Sequence, residues 1–549
     1  MLETANLATA ITVGDGLGNE GLGNEGLGNE GLGNDGLGNF VVDAPSRRVS
    51  TAWLHSDWLI VLLCVFAGVP LVMPHLPALT DLGGHLGRFA VQIDGGASPS
   101  LRQWYSFHWG LIPNLGTDLL MQLLAPRMGL EPALKAIVIA IPVIQTAGFL
   151  LLARVVHGQV TPTTLLALPL AYGYPLQYGF LNFTLCMALG TCALALWIGL
   201  GQRDRNLARW LIFVPIACTL WVCHFAGWAL FCVFAGSNEL AVWRARGFSW
   251  FAGCRRAAPA LSCLLVPGLV GMAWPGAQRA HGPTSGYFDV VAKLGWIVMP
   301  FRDRWAVWDV ASALLLIGII GWTWWSRWFS RHDGLVLGTI LTGCAFVLLP
   351  RHVAGTSFAD LRLVPMILAM ALIAVRAEAP CPPRIVEALA IGGLIFVGAR
   401  LTGNAVSQAL FDRQFSQDLT ALDAVPRDAQ LVSLTVNRCG TYEPWLRDRR
   451  THLAGYALAR RHAFANDQWV MPGGQLLRVH NPAAGSFSSD MSQLVSAESC
   501  EGKPGLWARV ASIPAAMRSL WLIENGVPRR FAGWHPIRQT PGTVVYSRD

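Results

Sequence analysis

Residues 58–92 read WLIVLLCVFAGVPLVMPHLPALTDLGGHLGRFAVQ. Trp58–Met73 is an uncharged apolar run of near membrane-spanning length, and it breaks at Pro74 into a loop that carries His, Asp and Arg. Runs of the same kind recur down to Arg400. Over the 549 residues, 53% are hydrophobic and 13% charged, against about 25% charged in ordinary soluble proteins. A soluble enzyme is excluded, and the predicted class is mainly α, a polytopic membrane helix bundle of about eleven spans.

Beyond Trp58–Met73, the expected spans are Ala133–Ala153, Thr163–Tyr178, Phe183–Leu200, Ala208–Val222, Phe225–Val242, Ala258–Trp274, Trp308–Trp325, Gly334–Leu349, Leu363–Val375 and Ile385–Ala399. Charge tests this register, because Lys and Arg collect in short cytoplasmic loops. The loops assigned inside carry Arg154, then Arg203, Arg205 and Arg209, then Arg244, Arg246, Arg255 and Arg256, then Arg327 and Arg331, then Arg376 and Arg384. The short outside turns around Gly179–Asn182 and Cys223–His224 carry none. The net charge of +8 is therefore a membrane-orientation signal, and no nucleic-acid partner is expected. The chain is placed in a bacterial inner membrane as a multi-pass protein with a cytoplasmic N-terminus.

Three regions follow. Residues 1–50 hold tandem pentapeptides, GLGNE three times, then GLGND and GLGNF, from Gly16 to Phe40, and are expected to be a disordered cytoplasmic segment. Residues 51–400 form the membrane domain, with a first periplasmic loop over 74–132. After Ala399 charge, Asn, Pro and Gly return, so 401–549 reads as a periplasmic soluble α/β or α+β domain, with strands at Gln430–Val436 and Leu520–Glu524 and a helix at Ser416–Leu422. Cys439 and Cys500 fall in that domain and are expected to pair in an oxidising compartment, while most other cysteines sit in apolar runs and act as small hydrophobes.

The first loop offers the chemistry. Asp81, His85 and Arg88 are spaced four and three apart, which places them on one side of a helix. The stretch FHWGLIPNLGTDLL adds Asn114 and Asp118. An amphipathic interfacial helix would need no more than this. Further polar residues converge on the same membrane face, however: Asn182, His224, Lys293, Arg351, Asp360 and Arg362. Ionisable groups near a bilayer tend to face partners or a cavity. Asp118 is read first as the cap of a helix over Leu119–Ala125 and second as a site carboxylate. No HExxH, no clustered Cys/His set and no Walker loop is present, so zinc chemistry and direct use of ATP are not expected.

At DLGGHLGR, PNLGTDLL, YGFLNF and FADLRLVP the chain resembles the GT-C superfamily of polytopic membrane glycosyltransferases, close to a bacterial membrane-protein group placed beside it. The likeness covers the chain from Trp58 onward. It implies transfer of a sugar from a polyprenyl-phosphate donor to a cell-envelope acceptor on the periplasmic face. Asp81 takes the position of the loop carboxylate that contacts the acceptor, with His85 beside it as the second catalytic candidate. Arg362, with Arg351 or Lys293, would hold the donor phosphate, and Arg88, Asn114, Asp118, Asn182, His224 and Asp360 would line the substrate site. Many members carry two adjacent acidic residues in this loop, whereas Asp81 is followed by Leu82, Gly83, Gly84 and His85. No cofactor is assigned, and the need for a divalent metal stays open. Membrane lipids and the polyprenyl-phosphate sugar are the expected partners, with the oligomeric state undetermined. A transporter or lipid flippase, or a non-catalytic envelope-assembly protein, stands as the alternative.

Overall fold

The computed structural model describes residues 51–274, 282–378, 381–439, 444–500, 502–524 and 529–548. The GLGNE repeats, and the disorder expected of residues 1–50, lie outside the described residues.

Seven described helices are long and apolar enough to cross a membrane: Leu130–His157, Leu181–Gln202, Asn206–Cys223, Phe225–Ala245, Trp250–Ala273, Ala306–Trp325 and Pro383–Ala424. Three shorter apolar helices, Asp57–Val72, Asp333–Leu348 and Leu361–Ile373, pack among them. The bundle turns Leu211, Leu265, Leu269, Leu314, Ile340 and Ile395 outward, as a lipid-facing surface requires. The polar loop between Asn206–Cys223 and Phe225–Ala245 is reduced to His224 alone, so the apolar stretch from Ala208 to Val242 is two helices and not one.

Two features correct the expected spans. The run Thr163–Tyr178 is not a helix that crosses the bundle. It divides into Pro162–Ala167, a 3₁₀ turn at Leu168–Tyr172 and a short helix at Tyr174–Tyr178. Pro169 and Pro175 lack the amide proton that a continuous helix needs, and Gly173 separates the pieces. All three pieces are buried, which is where membrane proteins tolerate broken backbone. The second correction concerns the boundary at 400. The last helix runs unbroken from Pro383 to Leu419, about 55 Å, so the return of charge after Ala399 marks where the helix leaves the apolar layer and not where it ends.

Beyond that helix lies a mixed six-stranded sheet. Gln430–Asn437 runs at its centre, parallel to Ser519–Ile523, Phe464–Ala465 and Leu494–Ser496. Ser519–Ile523 pairs antiparallel with Thr543–Arg548, which closes a hairpin with Trp534–Gln539. The two strands expected from the sequence are the buried central pair; Ser416–Leu422 is the tail of the long helix and the 3₁₀ turn after it. A disulfide joins Cys439 to Cys500, with Cα atoms 5.8 Å apart.

The first loop is well structured. It holds a helix at Leu82–Asp94, another at Pro99–Trp104, a strand at Tyr105–Phe107 and a helix at Gly116–Met128. The strand pairs antiparallel with Leu477–Val479 of the C-terminal region, Tyr105 opposite Val479. Tyr105 also donates its hydroxyl to the Ala465 carbonyl at 2.9 Å. The Leu82–Asp94 helix meets Gly455–Arg461 at a contact only glycine permits: a Cβ on Gly83 would stand 2.1 Å from the His452 carbonyl oxygen, and one on Gly455 would stand 1.9 Å from the Gly83 oxygen. Gly84 lies against Trp469 and Gly87 against Gln468 in the same way. The glycines of DLGGHLG therefore dock the C-terminal region on the first loop.

Candidate active site

Asp81 sits just before the Leu82–Asp94 helix. Its backbone N–H is held by the Tyr178 carbonyl at 2.9 Å, and Thr80 N–H donates to the Gln177 carbonyl at 3.3 Å. The broken segment Pro162–Tyr178 thus forms the floor beneath the carboxylate. Gly179 closes that floor at φ +103°, where a Cβ would come within 3.1 Å of the Asp81 Cβ and N. The Asp81 side chain does not cap its helix, which leaves the carboxylate for other contacts.

Those contacts come from the C-terminal region. His452 Nε2 lies 3.9 Å from Asp81 Oδ1 and 3.8 Å from Asp490 Oδ1. Its Nδ1 is 2.9 Å from the Asp467 carbonyl oxygen, which can only accept, so Nδ1 carries a proton. The imidazole packs on Trp469 with ring centres 4.5 Å apart. Arg447 lies over the Tyr178 ring at 4.4 Å and Arg362 over Phe180 at 3.9 Å, and both cations act on Asp81. Burial pushes the Asp81 carboxyl up to about 6, outweighing the pull of His452, Arg447 and Arg362 in the other direction; Asp490 adds to the rise. Asp81 is therefore poised near neutrality, a base of the strength acid–base chemistry uses.

His85 has a different place. Burial, helped by Arg88 and His452, holds its imidazole well below the usual range, so it is neutral. Its Nε2 donates to the Gly179 carbonyl at 3.2 Å and its Nδ1 faces Arg88 Nη2 at 3.5 Å. With both nitrogens engaged, His85 fixes the glycine beside Asp81 and does not itself offer a lone pair to a substrate. Arg88 and Asp118 form a fully buried two-point ion pair, with Nη2 to Oδ2 at 3.3 Å, and Gln92 donates to the Asp118 carbonyl. Asp118 lies in the first turn of Gly116–Met128 but neither caps it nor reaches the Asp81 cluster. Of the residues predicted at spacings four and three, only Asp81 keeps a part of its side chain, 15%, at the surface.

The remaining candidates divide. Asn182 receives Thr117 N–H and Oγ at 2.6 and 2.7 Å and donates to the Asn114 carbonyl, and Asn114 itself donates to the Gly474 carbonyl. His224 accepts the Ala226 N–H at 3.1 Å and caps its helix. Lys293 is buried with Asp360 at 3.1 Å and with the carbonyls of Phe346 and Leu349. Arg351 stacks between Trp296 and Phe358. Most of these placements share one cause: near the bundle end Asn114, Asn182, His224, Lys293 and Asp360 have found internal hydrogen-bond partners, and a buried polar group without one is costly, whereas Arg351 rests on aromatic rings with its Nε–H unpaired among the described residues.

Arg362 is buried at the edge of a pocket. It is 9% exposed, donates Nη2–H to the Ser357 carbonyl at 3.2 Å, and its Nε–H finds no acceptor among the described residues. The pocket is small, and its other walls include Phe149, Leu170, Leu176, Phe183 and Met187. Among the described residues no group of three or more His, Cys, Asp and Glu side chains is arranged to hold a metal ion.

The sequence reading missed His452, Asp490, Arg447 and Trp469. The close glycine pattern at 83, 84 and 87 was the available sign that something packs tightly on that helix. The buried Arg88–Asp118 pair yields a prediction: Arg88→Ala or Asp118→Ala alone leaves an unpaired buried charge and should cost about 3 to 5 kcal/mol, while Arg88→Met with Asp118→Leu should cost far less. Thermal melts in detergent check it; equal losses for single and double variants would contradict the assignment.

No family model and no curated protein matches the chain. Two solved structures are similar: ArnT from Cupriavidus metallidurans bound to undecaprenyl phosphate, at 12% identity and a TM-score of 0.47, and the same protein in the apo state, at 13% and 0.46. Each likeness covers 89% of this chain and 97% of the other.

Proposed function

We propose that this protein is a membrane glycosyltransferase that moves a sugar from a polyprenyl-phosphate donor to a cell-envelope acceptor on the periplasmic face. The observation that carries the reading is the apolar pocket that ends at a buried arginine beside a poised carboxylate. An isoprenoid chain suits the Phe149, Leu176 and Met187 walls, and a phosphate suits Arg362, whose Nε–H has no acceptor among the described residues. The acceptor hydroxyl loses its proton to Asp81 as its oxygen bonds to the anomeric carbon. The bond from that carbon to the phosphate oxygen breaks, and the electron pair leaves with the phosphate, stabilised by Arg362.

Orientation is supported by charge. Asp81 rests on Tyr178–Gly179, at the start of Leu181–Gln202, the end at which Phe183 meets His224. The arginines at 203, 205, 244, 246, 255 and 256 lie in or beside the turns at the opposite ends of these helices, which the positive-inside rule assigns to the cytoplasm. Transport is less well supported. The buried charges Arg209 and Glu239 are closed on each other at 2.8 Å, with Trp197 Nε1 donating to the same carboxylate, and Arg400 is closed on Asp309 at 2.9 Å.

The test is binding of a polyprenyl phosphate to purified protein by native mass spectrometry, followed by transfer from polyprenyl-phosphate sugars in lipid. Loss of a charge-assisted hydrogen bond costs about 1.5 to 3 kcal/mol, so Arg362→Ala should weaken binding about 10- to 100-fold. A phosphate-free polyprenol that binds as tightly as the phosphate would remove the basis for the proposal.

A further inference from the structure

We propose that the C-terminal domain completes the catalytic site as a proton store: His452 and Asp490 share one proton with Asp81 and carry the acceptor's proton to solvent. The geometry carries the inference. Nδ1–H of His452 is fixed on the Asp467 carbonyl at 2.9 Å, so Nε2 is the nitrogen left between the two carboxylates, at 3.9 and 3.8 Å. A lone pair directed between two anions is repelled by both. The cluster therefore holds one proton in that space, either on Nε2 between two carboxylates or on one carboxyl beside a neutral imidazole. Its net charge is −1 in both forms. The imidazole is held in place by Trp469, tilted against it with ring centres 4.5 Å apart, and by burial, with its side chain 7% exposed.

The balance of the step follows. In the form with a charged imidazole, Asp81 is a carboxylate and accepts the acceptor hydroxyl's proton as the glycosidic bond forms. The cluster then holds two protons. The Nε2 proton passes to Asp490, whose side chain at 18% exposed is the wetter of the two carboxylates, and from there to water. The proton on Asp81 moves to Nε2, and the starting state returns with no other reactant consumed. The 3.8 and 3.9 Å gaps close by small side-chain movement or through one water, as catalytic contacts commonly do in the unliganded state.

Other charged and titratable groups surround the cluster, among them Tyr178, which acts on Arg362. Arg447 and Arg362 face Asp81 from the C-terminal region and from the Leu361–Ile373 helix. Asp467 faces His452, with its carboxylate accepting from Gly455 N–H and Gln468 Nε2. His85 is neutral and lies behind Trp469. Asp490 lies near enough to act on Asp467, and its Oδ1 accepts from Gln493 Nε2 at 2.7 Å.

The inference depends on the glycosyltransferase reading for its use but not for its existence, and the experiment separates the two. The titration of the Asp81 carboxyl is followed by infrared spectroscopy of the whole protein in lipid, its band identified as the one that Asp81→Asn removes. The wild-type midpoint is expected near pH 6. His452→Gln removes a cation and should move the midpoint up by about one unit or more, whereas Asp490→Asn removes an anion and should move it down by about one unit. A general loss of packing would shift both variants the same way. Midpoints that move together, or not at all, overturn the proposal. If His452→Gln does not fold, Asp490→Asn decides alone, since its amide keeps the contact with Gln493: a lowered midpoint supports the store, an unchanged one overturns it. Opposed shifts in a protein that transfers no sugar would retain the store and remove the glycosyltransferase reading. Sugar transfer with unmoved midpoints would do the reverse.

Discussion

Asp81→Asn is expected to lose at least about a hundredfold in sugar transfer while melting at a higher temperature than the wild type at pH 7.5. The rate falls because the amide cannot accept the proton. The stability rises because the ionised carboxylate is buried. Its folded value, about 6, stands above the ordinary 3.8, so the folded state binds the proton more tightly than the unfolded state does. That contribution is complete below the unfolded value and is lost as pH rises from about 4 through about 6. Above that window the charged form carries a penalty of order 3 kcal/mol relative to the protonated one, which a neutral amide avoids. The two proteins should therefore melt alike near pH 4 and separate toward pH 7.5. Activity retained by Asp81→Asn would dismiss the base, and a lower melting temperature at pH 7.5 would dismiss the account of its burial.

Gly83→Ala should detach the C-terminal region from the first loop, at a cost above about 3 kcal/mol, because its methyl would meet backbone and not a flexible side chain. The same holds for Gly455→Ala on the facing helix. Both variants should lose activity together with the protease resistance of the C-terminal region. Gly190→Ala is the control, as a Cβ there meets only Phe231 Cβ at an ordinary 3.7 Å. Wild-type transfer and melting in Gly83→Ala would show that the helix contact can relax and that the glycines serve another purpose.

These two residues show what could be read from sequence and what could not. Asp81 stood out because a carboxylate beside an apolar run is rare and its loop repeats polar residues at helical spacing. The helices at 133–153, 183–200 and 225–242 were legible for the same reason, since burial in lipid imposes a composition that no other pressure does. His452 and Asp490 carried no such mark. They lie in a region of ordinary composition, more than 350 residues from Asp81, and only tertiary packing brings them together. The segment 163–178 misled because its composition is that of a span, and the prolines at 169 and 175 that break it were outweighed by hydropathy. Arg88, Lys293 and Asp360 were read as open to a ligand because a single sequence does not reveal which opposite charge lies within 3 to 4 Å.

The pairing of Tyr105–Phe107 with Leu477–Val479 sets a timetable for biosynthesis. Its two strands are separated by about 370 residues, and at synthesis rates of about 5 to 20 residues per second the first waits roughly 20 to 75 s for the second. Throughout that interval the Asp81 loop has neither its partner strand nor His452 and Asp490. A nascent chain can therefore insert its helices and present Asp81 well before His452 and Asp490 reach it.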